Sequence, residues 1–252
     1  MLLAGLVSSA MTATPASPQP VTIVAHRGLA EGVPENTLTA FGQSIESGVR
    51  IIELDLRITR DGQLVVLHDA TLDRTTNCTG LVADRTLAEV KACDAGEGER
   101  VPTFSEVIDL VGSLPVSILA DVKAGTPIAP VLAAIREPQA RSRVILGLRS
   151  IKHVERARAA LPDSTILGYI PDIADAHAFA AAGANIIRLW SDWADADPAL
   201  IARTRALGPE VWIMVGRSLP GKAEAWRALH RRMIAAGAQG LITDRPDLIS
   251  AP

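Results

Sequence analysis

The chain has 252 residues, 48% of them hydrophobic, and a formal net charge of -3 at pH 7. That length can bury a full core in one large α/β domain or two small ones, and the absence of a Pro/Gly/Ser-rich linker favours one. Acids and bases are interspersed, which excludes the basic stripe that tracks a nucleic-acid backbone, and no segment reaches eighteen uninterrupted apolar residues, which excludes a transmembrane helix.

Residues 1–20, "MLLAGLVSSAMTATPASPQP", carry no charge and pass from a short apolar run to small residues, Thr, Ser and Pro. They are expected to be an export-signal remnant without its basic start, or else a disordered tail, and the first reading places the protein in the periplasm or outside the cell rather than in the cytoplasm. From residue 21 onward, short β-branched runs alternate with Ala-rich amphipathic segments. Strands are predicted at 21–26, 51–58, 64–68, 117–122, 144–149, 165–170, 185–190, 211–215 and 240–243. Helices are predicted at about 37–47, 104–112, 127–137, 151–161, 172–182, 198–207 and 222–236, with Gly48, Gly112, Gly183, Gly208 and Gly237 at their C-terminal ends. Such repeats at this length predict a closed (β/α)8 TIM barrel, with a doubly wound open sheet as the alternative.

Nine strands is one too many for that barrel. Segments 51–58 and 64–68 flank "TRDGQ", whose Asp61-Gly62 pair signals a two-residue turn, so they are predicted to form an antiparallel hairpin. A two-residue turn places His68 opposite Asp55, with Cβ atoms about 5 Å apart. Glu53, Asp55 and Arg57 share one side of their strand by the period of two. Residues 70–100 show no clean period and are expected to form an insertion on the barrel rim after His68. Cys78 and Cys93 lie within it, free thiols in a reducing compartment or a bridge in an oxidising one.

Barrel strands are buried on both faces, so Glu53 and Asp55 must neutralise, pair or bind a cation. Asp121 in "SILADVKAG" repeats the pattern near another strand end, with Lys123 two residues on. Three carboxylates from two strand ends suit a hard divalent ion, Mg²⁺ or Ca²⁺. His26 and His68 each end an apolar strand, where TIM barrels gather their active sites, and two histidines beside a cation suit general acid and base work. With a net charge of -3, an anionic substrate must be held by local groups, and Arg27 and Lys123 are candidates. Arg188 and Trp190 in "RLWSDW" could line a pocket or simply pack on the rim. "HRRM" at 230–233 is expected to be a solvated basic face of the last helix, and Glu35 and Asn36 to orient other groups or close a loop.

In an ordered set of motifs spanning about residues 22–249, the chain resembles the glycerophosphodiester phosphodiesterase family. The carriers are "AHRG" and "PENT" (25–28 and 34–37), "ELDLRITRDGQLVVLHDATLDRTTNCTG" (53–80), "VPTFSEVIDL" (101–110), "ADVK" (120–123) and "GLITDRPDLI" (240–249). The resemblance implies a (β/α)8 barrel with an inserted segment, His26 and His68 as catalytic histidines, Arg27 as phosphate ligand, and Glu53 and Asp55 as metal ligands. Asp121 stands where members usually carry Glu, one methylene longer. In "VWIMVG", Trp212 matches a family tryptophan expected at the pocket rim, while Val215 takes the place of a usual Asn. The implied reaction is metal-dependent hydrolysis of a glycerophosphodiester to sn-glycerol 3-phosphate and an alcohol. A lysophospholipase D acting on longer-chain lysolipids and a non-catalytic phosphodiester-binding barrel are the alternatives.

Overall fold

In a computed structural model that describes residues 20–28, 32–216 and 222–249, the β-branched runs become nine strands. They are β1 (Thr22–Ala25), β2 (Ile51–Ile58), β3 (Leu64–Val66), β4 (Ser117–Val122), β5 (Val144–Leu148), β6 (Thr165–Gly168), β7 (Ile186–Trp190), β8 (Glu210–Val215) and β9 (Gly240–Thr243). All except β3 run parallel, in the order β1-β9-β8-β7-β6-β5-β4-β2, and β1 also pairs with β2. That last pairing closes an eight-stranded barrel and removes the open sheet from consideration. Residues 1–19, where the export reading falls, lie outside the described residues.

The period of two then sorts every stave. Ile52, Leu54 and Leu56 of β2 and Ile118, Ala120 and Val122 of β4 point outward and are buried against the helices. The alternate positions fill the barrel interior, where Val24, Leu119, Leu167, Ile186, Trp212 and Ile242 pack together. Glu53, Asp55 and Asp121 also occupy interior positions, towards the C-terminal end, and β2 and β4 are registered so that Asp55 lies beside Asp121.

The outer ring is built from α1 (Leu38–Glu46), α3 (Phe104–Val111), α4 (Ile128–Ala134), α6 (Ile151–Ala160), α7 (Ala176–Ala181), α9 (Leu200–Arg205) and α10 (Ala223–Ala235). Thr37 caps α1 and Thr103 caps α3, the latter with a reciprocal bond from Glu106. The helix predicted over 127–137 is shorter, because Pro138 disfavours helical backbone at Glu137 and starts the separate turn α5 (Pro138–Arg141). A short α8 (Ser191–Ala196), absent from the prediction, follows β7 directly and contains the "SDW" run.

The β2–β3 hairpin forms, but its register differs from the prediction. Leu56 pairs with Val66 and Ile58 with Leu64, because Thr59 and Gln63 close a three-residue turn with Gly62 at φ 79°. The Asp55 carbonyl therefore accepts from the Leu67 amide rather than lying opposite His68. His68 reaches the barrel mouth by another route: β3 ends at Val66, and the Arg57 guanidinium donates twice to the His68 carbonyl, at 3.2 and 2.6 Å.

The rim segment after His68 has a small core of its own, in which Val82 and Val90 pack under Val65 and Leu67. It contains α2 (Leu87–Ala92), a helix with a full capping box between Thr86 and Glu89. Cys78 and Cys93 are joined by a disulfide that closes this segment. A loop of this length bridged in the unfolded chain favours folding by about 3 kcal/mol.

The last helix corrects a further expectation. Arg231 and Arg232 are exposed and paired with Glu224 and Asp195, but His230 and Met233 of the same run are buried against the barrel. The His230 ring bonds through Nε2 to Thr243 Oγ1 at 3.0 Å, and burial, with Arg245 nearby, pushes its pKa down to about 4. The unfolded chain binds a proton at that histidine first, so its contribution is intact above about pH 6.5 and is lost as the pH falls towards 4. Urea unfolding at a series of pH values should show a loss of up to about 3 kcal/mol from this group, and His230→Gln should flatten that part of the profile.

Candidate active site

The chemistry gathers at the C-terminal mouth of the barrel, around a cavity of about 390 Å³ that His26, Arg27, Glu53, His68, Asp121 and Lys123 help to line. A larger surface depression of about 870 Å³ lies outside the barrel among α3, α4 and the hairpin turn, away from both histidines.

β1 delivers its histidine and arginine through a strained turn. Arg27 has φ 57° and Asn36 φ 59°, and the Asn36 amide closes the loop onto the Arg27 carbonyl at 3.0 Å. Gly28, at φ 87°, lies so close to α1 that an added Cβ would come within 2.7 Å of the Ala40 Cβ. That contact accounts for glycine in "HRG". The strain aims the groups: the Arg27 amide donates to Glu53 Oε2 at 3.0 Å, and its guanidinium reaches Asp55 at 3.2 Å and Glu35 at 3.0 Å.

Both histidines carry a carboxylate on Nδ1. His26 Nδ1 lies 2.5 Å from Asp244 and His68 Nδ1 lies 2.6 Å from Asp69. The carboxylate fixes each ring and leaves Nε2 for the pocket, where His26 Nε2 comes within 4.0 Å of Glu53. Burial opposes charge on His26, but the Glu53 and Asp244 carboxylates outweigh it and raise its pKa. Burial and the Lys123 ammonium lower that of His68.

Glu53, Asp55 and Asp121 are all buried, and each offers an oxygen within 4.8 Å of the others. Burial, then the neighbouring Asp55 charge, pushes the Glu53 carboxyl up to about 7. Burial acts the same way on Asp55, but the Lys123 and Arg27 cations overcome it and hold that carboxyl well below the usual range. The Lys123 ammonium bridges Asp55 and Asp121, at 2.6 Å from each. Asn36 donates through its side-chain amide to Asp55 at 2.7 Å. Three desolvated carboxylates, oxygen donors only, fit a hard divalent cation. The shorter Asp121 has a further partner, Arg149, which binds it through Nε and Nη2.

Arg188 and Trp190 line the cavity, with the guanidinium carbon 4.2 Å from the Trp190 ring centre. Trp212 does not reach the rim. It fills the barrel interior below, and its indole donates to Glu210 Oε2 at 2.9 Å, at the N-terminal end of β8. Glu35 lies at the edge, held by Arg27 and by Arg74 of the inserted segment, which also binds Asp69.

Sequence reasoning missed Asp244, Arg149, Tyr169 and the role of Arg74. Asp244 and Arg149 each directly follow a strand, and the barrel rule that singled out His26 would have found them. Tyr169 directly follows β6 and falls under the same rule, whereas Arg74 lies in an aperiodic run and carried no signal.

Barrel and cavity together define a (β/α)8 protein with its functional groups at the strand C-termini, two histidine–carboxylate pairs facing buried acids and cations. Residues 26–248 match the glycerophosphoryl diester phosphodiesterase family, and the chain belongs to that family. A glycerophosphodiester phosphodiesterase of Caldanaerobacter subterraneus is 43% identical over 137 residues, which cover 50% of this chain and 56% of that protein, so the matched stretch spans about half of this curated relative. A probable glycerophosphodiester phosphodiesterase 1 of Mycobacterium tuberculosis is 30% identical over 250 residues, covering 81% of this chain and 91% of that protein. A crystal structure of a glycerophosphodiester phosphodiesterase from Agrobacterium tumefaciens superposes with a TM-score of 0.76 at 29% identity, covering 90% of this chain and 98% of that one.

Proposed function

We propose that this chain is a metal-dependent phosphodiesterase that hydrolyses glycerophosphodiesters to sn-glycerol 3-phosphate and an alcohol. The observation that carries the reading is the convergence, at one barrel mouth, of two histidines with Nδ1 held by carboxylates and three clustered buried carboxylates, two of them bridged by Lys123. Family membership supports it.

Glu53, Asp55 and Asp121 would hold one divalent cation, Mg²⁺ or Ca²⁺, which when bound supplies Lewis-acid charge for the phosphoryl group. Arg27 and Lys123 set further positive charge beside the same carboxylates, placed for the non-bridging phosphoryl oxygens. One histidine takes a proton from the nucleophile at Nε2 and the other gives one to the leaving alkoxide, each imidazolium steadied by its carboxylate, Asp244 or Asp69. Arg74 joins the two halves of the site, since it holds Asp69 beside His68 and Glu35 beside Arg27. Location outside the cytoplasm belongs to the same proposal and is supported by the Cys78–Cys93 bridge, a bond that persists in oxidising compartments.

A coupled assay for glycerol 3-phosphate released from glycerophosphocholine and glycerophosphoglycerol tests the reading. EDTA should abolish product, and added Mg²⁺ or Ca²⁺ should restore it. No metal-dependent product from any of several glycerophosphodiesters, with binding intact, would establish a non-catalytic barrel instead. Product from lysophosphatidylcholine alone would move the chain to the lysophospholipase D reading.

A further inference from the structure

The cavity wall that continues past Lys123 is formed by Arg149 at the end of β5, Tyr169 after β6, and Arg188 and Trp190 of β7. Its aromatic faces are already occupied. The Arg149 guanidinium carbon lies 4.7 Å from the Tyr169 ring centre and that of Arg188 5.4 Å from it, while Arg188 also covers Trp190 at 4.2 Å. A quaternary ammonium is recognised by open aromatic faces, and here it would meet two guanidinium groups instead.

Both arginines are set in place before any substrate arrives. Arg188 is 3% exposed and lies on an interior position of a strand, packed against three aromatic rings if Trp193 at 5.7 Å is included. Arg149 is clamped at the rim, with Nε and Nη2 on Asp121 and its plane over Tyr169, and its side chain is 38% exposed. Its Nη1 makes no hydrogen bond among the described residues. Stacked, anchored guanidinium groups lose little freedom on binding and match phosphate or carboxylate oxygens. Neither is assigned to the scissile phosphate in the reaction proposed above, which gives that role to Arg27 and Lys123, while Arg149 also holds Asp121.

We propose that the wall formed by Arg149, Tyr169, Arg188 and Trp190 receives a second anionic group, so that the preferred substrates are glycerophosphodiesters bearing a phosphate or carboxylate on one arm. The inference rests on the phosphodiesterase reading and specifies the substrate class of that same site. A neutral or cationic arm leaves the guanidinium groups facing no counter-charge from the substrate. A phosphate arm places an anion beside both, in addition to the partners they already have.

The test is a substrate series with purified protein and added divalent cation. It comprises glycerophosphocholine, glycerophosphoglycerol, its terminal phosphate monoester, and the glycerate analogue carrying a carboxylate. The expected kcat/KM is at least about tenfold higher for the phosphate-bearing substrate than for glycerophosphocholine, expressed mainly in KM. Arg149→Gln and Arg188→Gln should each collapse that ratio, and Arg149→Lys and Arg188→Lys should restore part of it. Preference for phosphate over carboxylate, or the reverse, identifies which anion the wall fits. Glycerophosphocholine hydrolysed as well as or better than the phosphate-bearing substrate would overturn the inference while leaving the phosphodiesterase reading intact. Turnover of none would overturn that reading instead, and calorimetric titration with the same four compounds would then decide the inference by whether the anionic arms bind more tightly.

Discussion

His26→Ala is expected to lower kcat on glycerophosphodiesters by about 10²- to 10⁴-fold, the range for loss of a positioned general acid or base, with KM changed far less. The side chain sits just after β1 with Nδ1 bound to Asp244, and in the proposed mechanism its removal takes away a proton carrier together with that contact. Asp244→Asn should give a smaller fall with the imidazole still present, because it removes the charge that steadies the imidazolium while leaving a group that can bond Nδ1. His68→Ala should match His26→Ala, and the double variant should be scarcely worse than either, as expected for groups that act in one concerted transfer. Steady-state kinetics with glycerophosphoglycerol measures all four. Independent, multiplying losses would sink the shared mechanism.

Asp55→Ala is expected to be the most destructive single change, for a different reason. Asp55 is fully buried and contacts Lys123, Arg27 and the Asn36 amide. Truncation takes the shared anion from buried Lys123 and half-buried Arg27, which keep Asp121 and Glu35, and is expected to lower stability by about 3 kcal/mol, the low end for breaking a buried ion pair from one side. Asp55→Asn keeps the volume and a hydrogen-bonding group and should cost less stability, while still failing in the metal-restored assay. Urea unfolding read alongside activity separates the two effects. An Asp55→Ala protein of wild-type stability would contradict the network described for this site.

Much of the barrel was legible because its signals are local. The Ile-Ile-Glu-Leu-Asp-Leu run alternates with the pleat, so Glu53 and Asp55 had to share a face whatever the rest of the chain did. The histidines were legible because each ends an apolar run. The hairpin shows where local reasoning stops: Asp61-Gly62 correctly announced a turn, but one extra loop residue shifted the pairing and sent His68 to the mouth by way of Arg57. Trp212 shows a second limit, since motif position placed it at the rim and packing placed it in the interior. His230 shows a third, because a basic run on a helix conceals which member faces inward.

By itself the sequence determined the alternation of strands and helices, the facing of Glu53 with Asp55, and the residue types of the candidate site. Those follow from backbone period and side-chain chemistry, which need no distant partner. Only the tertiary structure decided that Asp244, 218 residues from His26, supports its ring, that Arg149 takes both oxygens of Asp121, and that Cys78 meets Cys93. Closure of β1 on β2 and β9 brings the C-terminal ends of β1 and β9, and with them His26 and Asp244, together at one mouth, and no local pattern encodes a contact made by closing a ring.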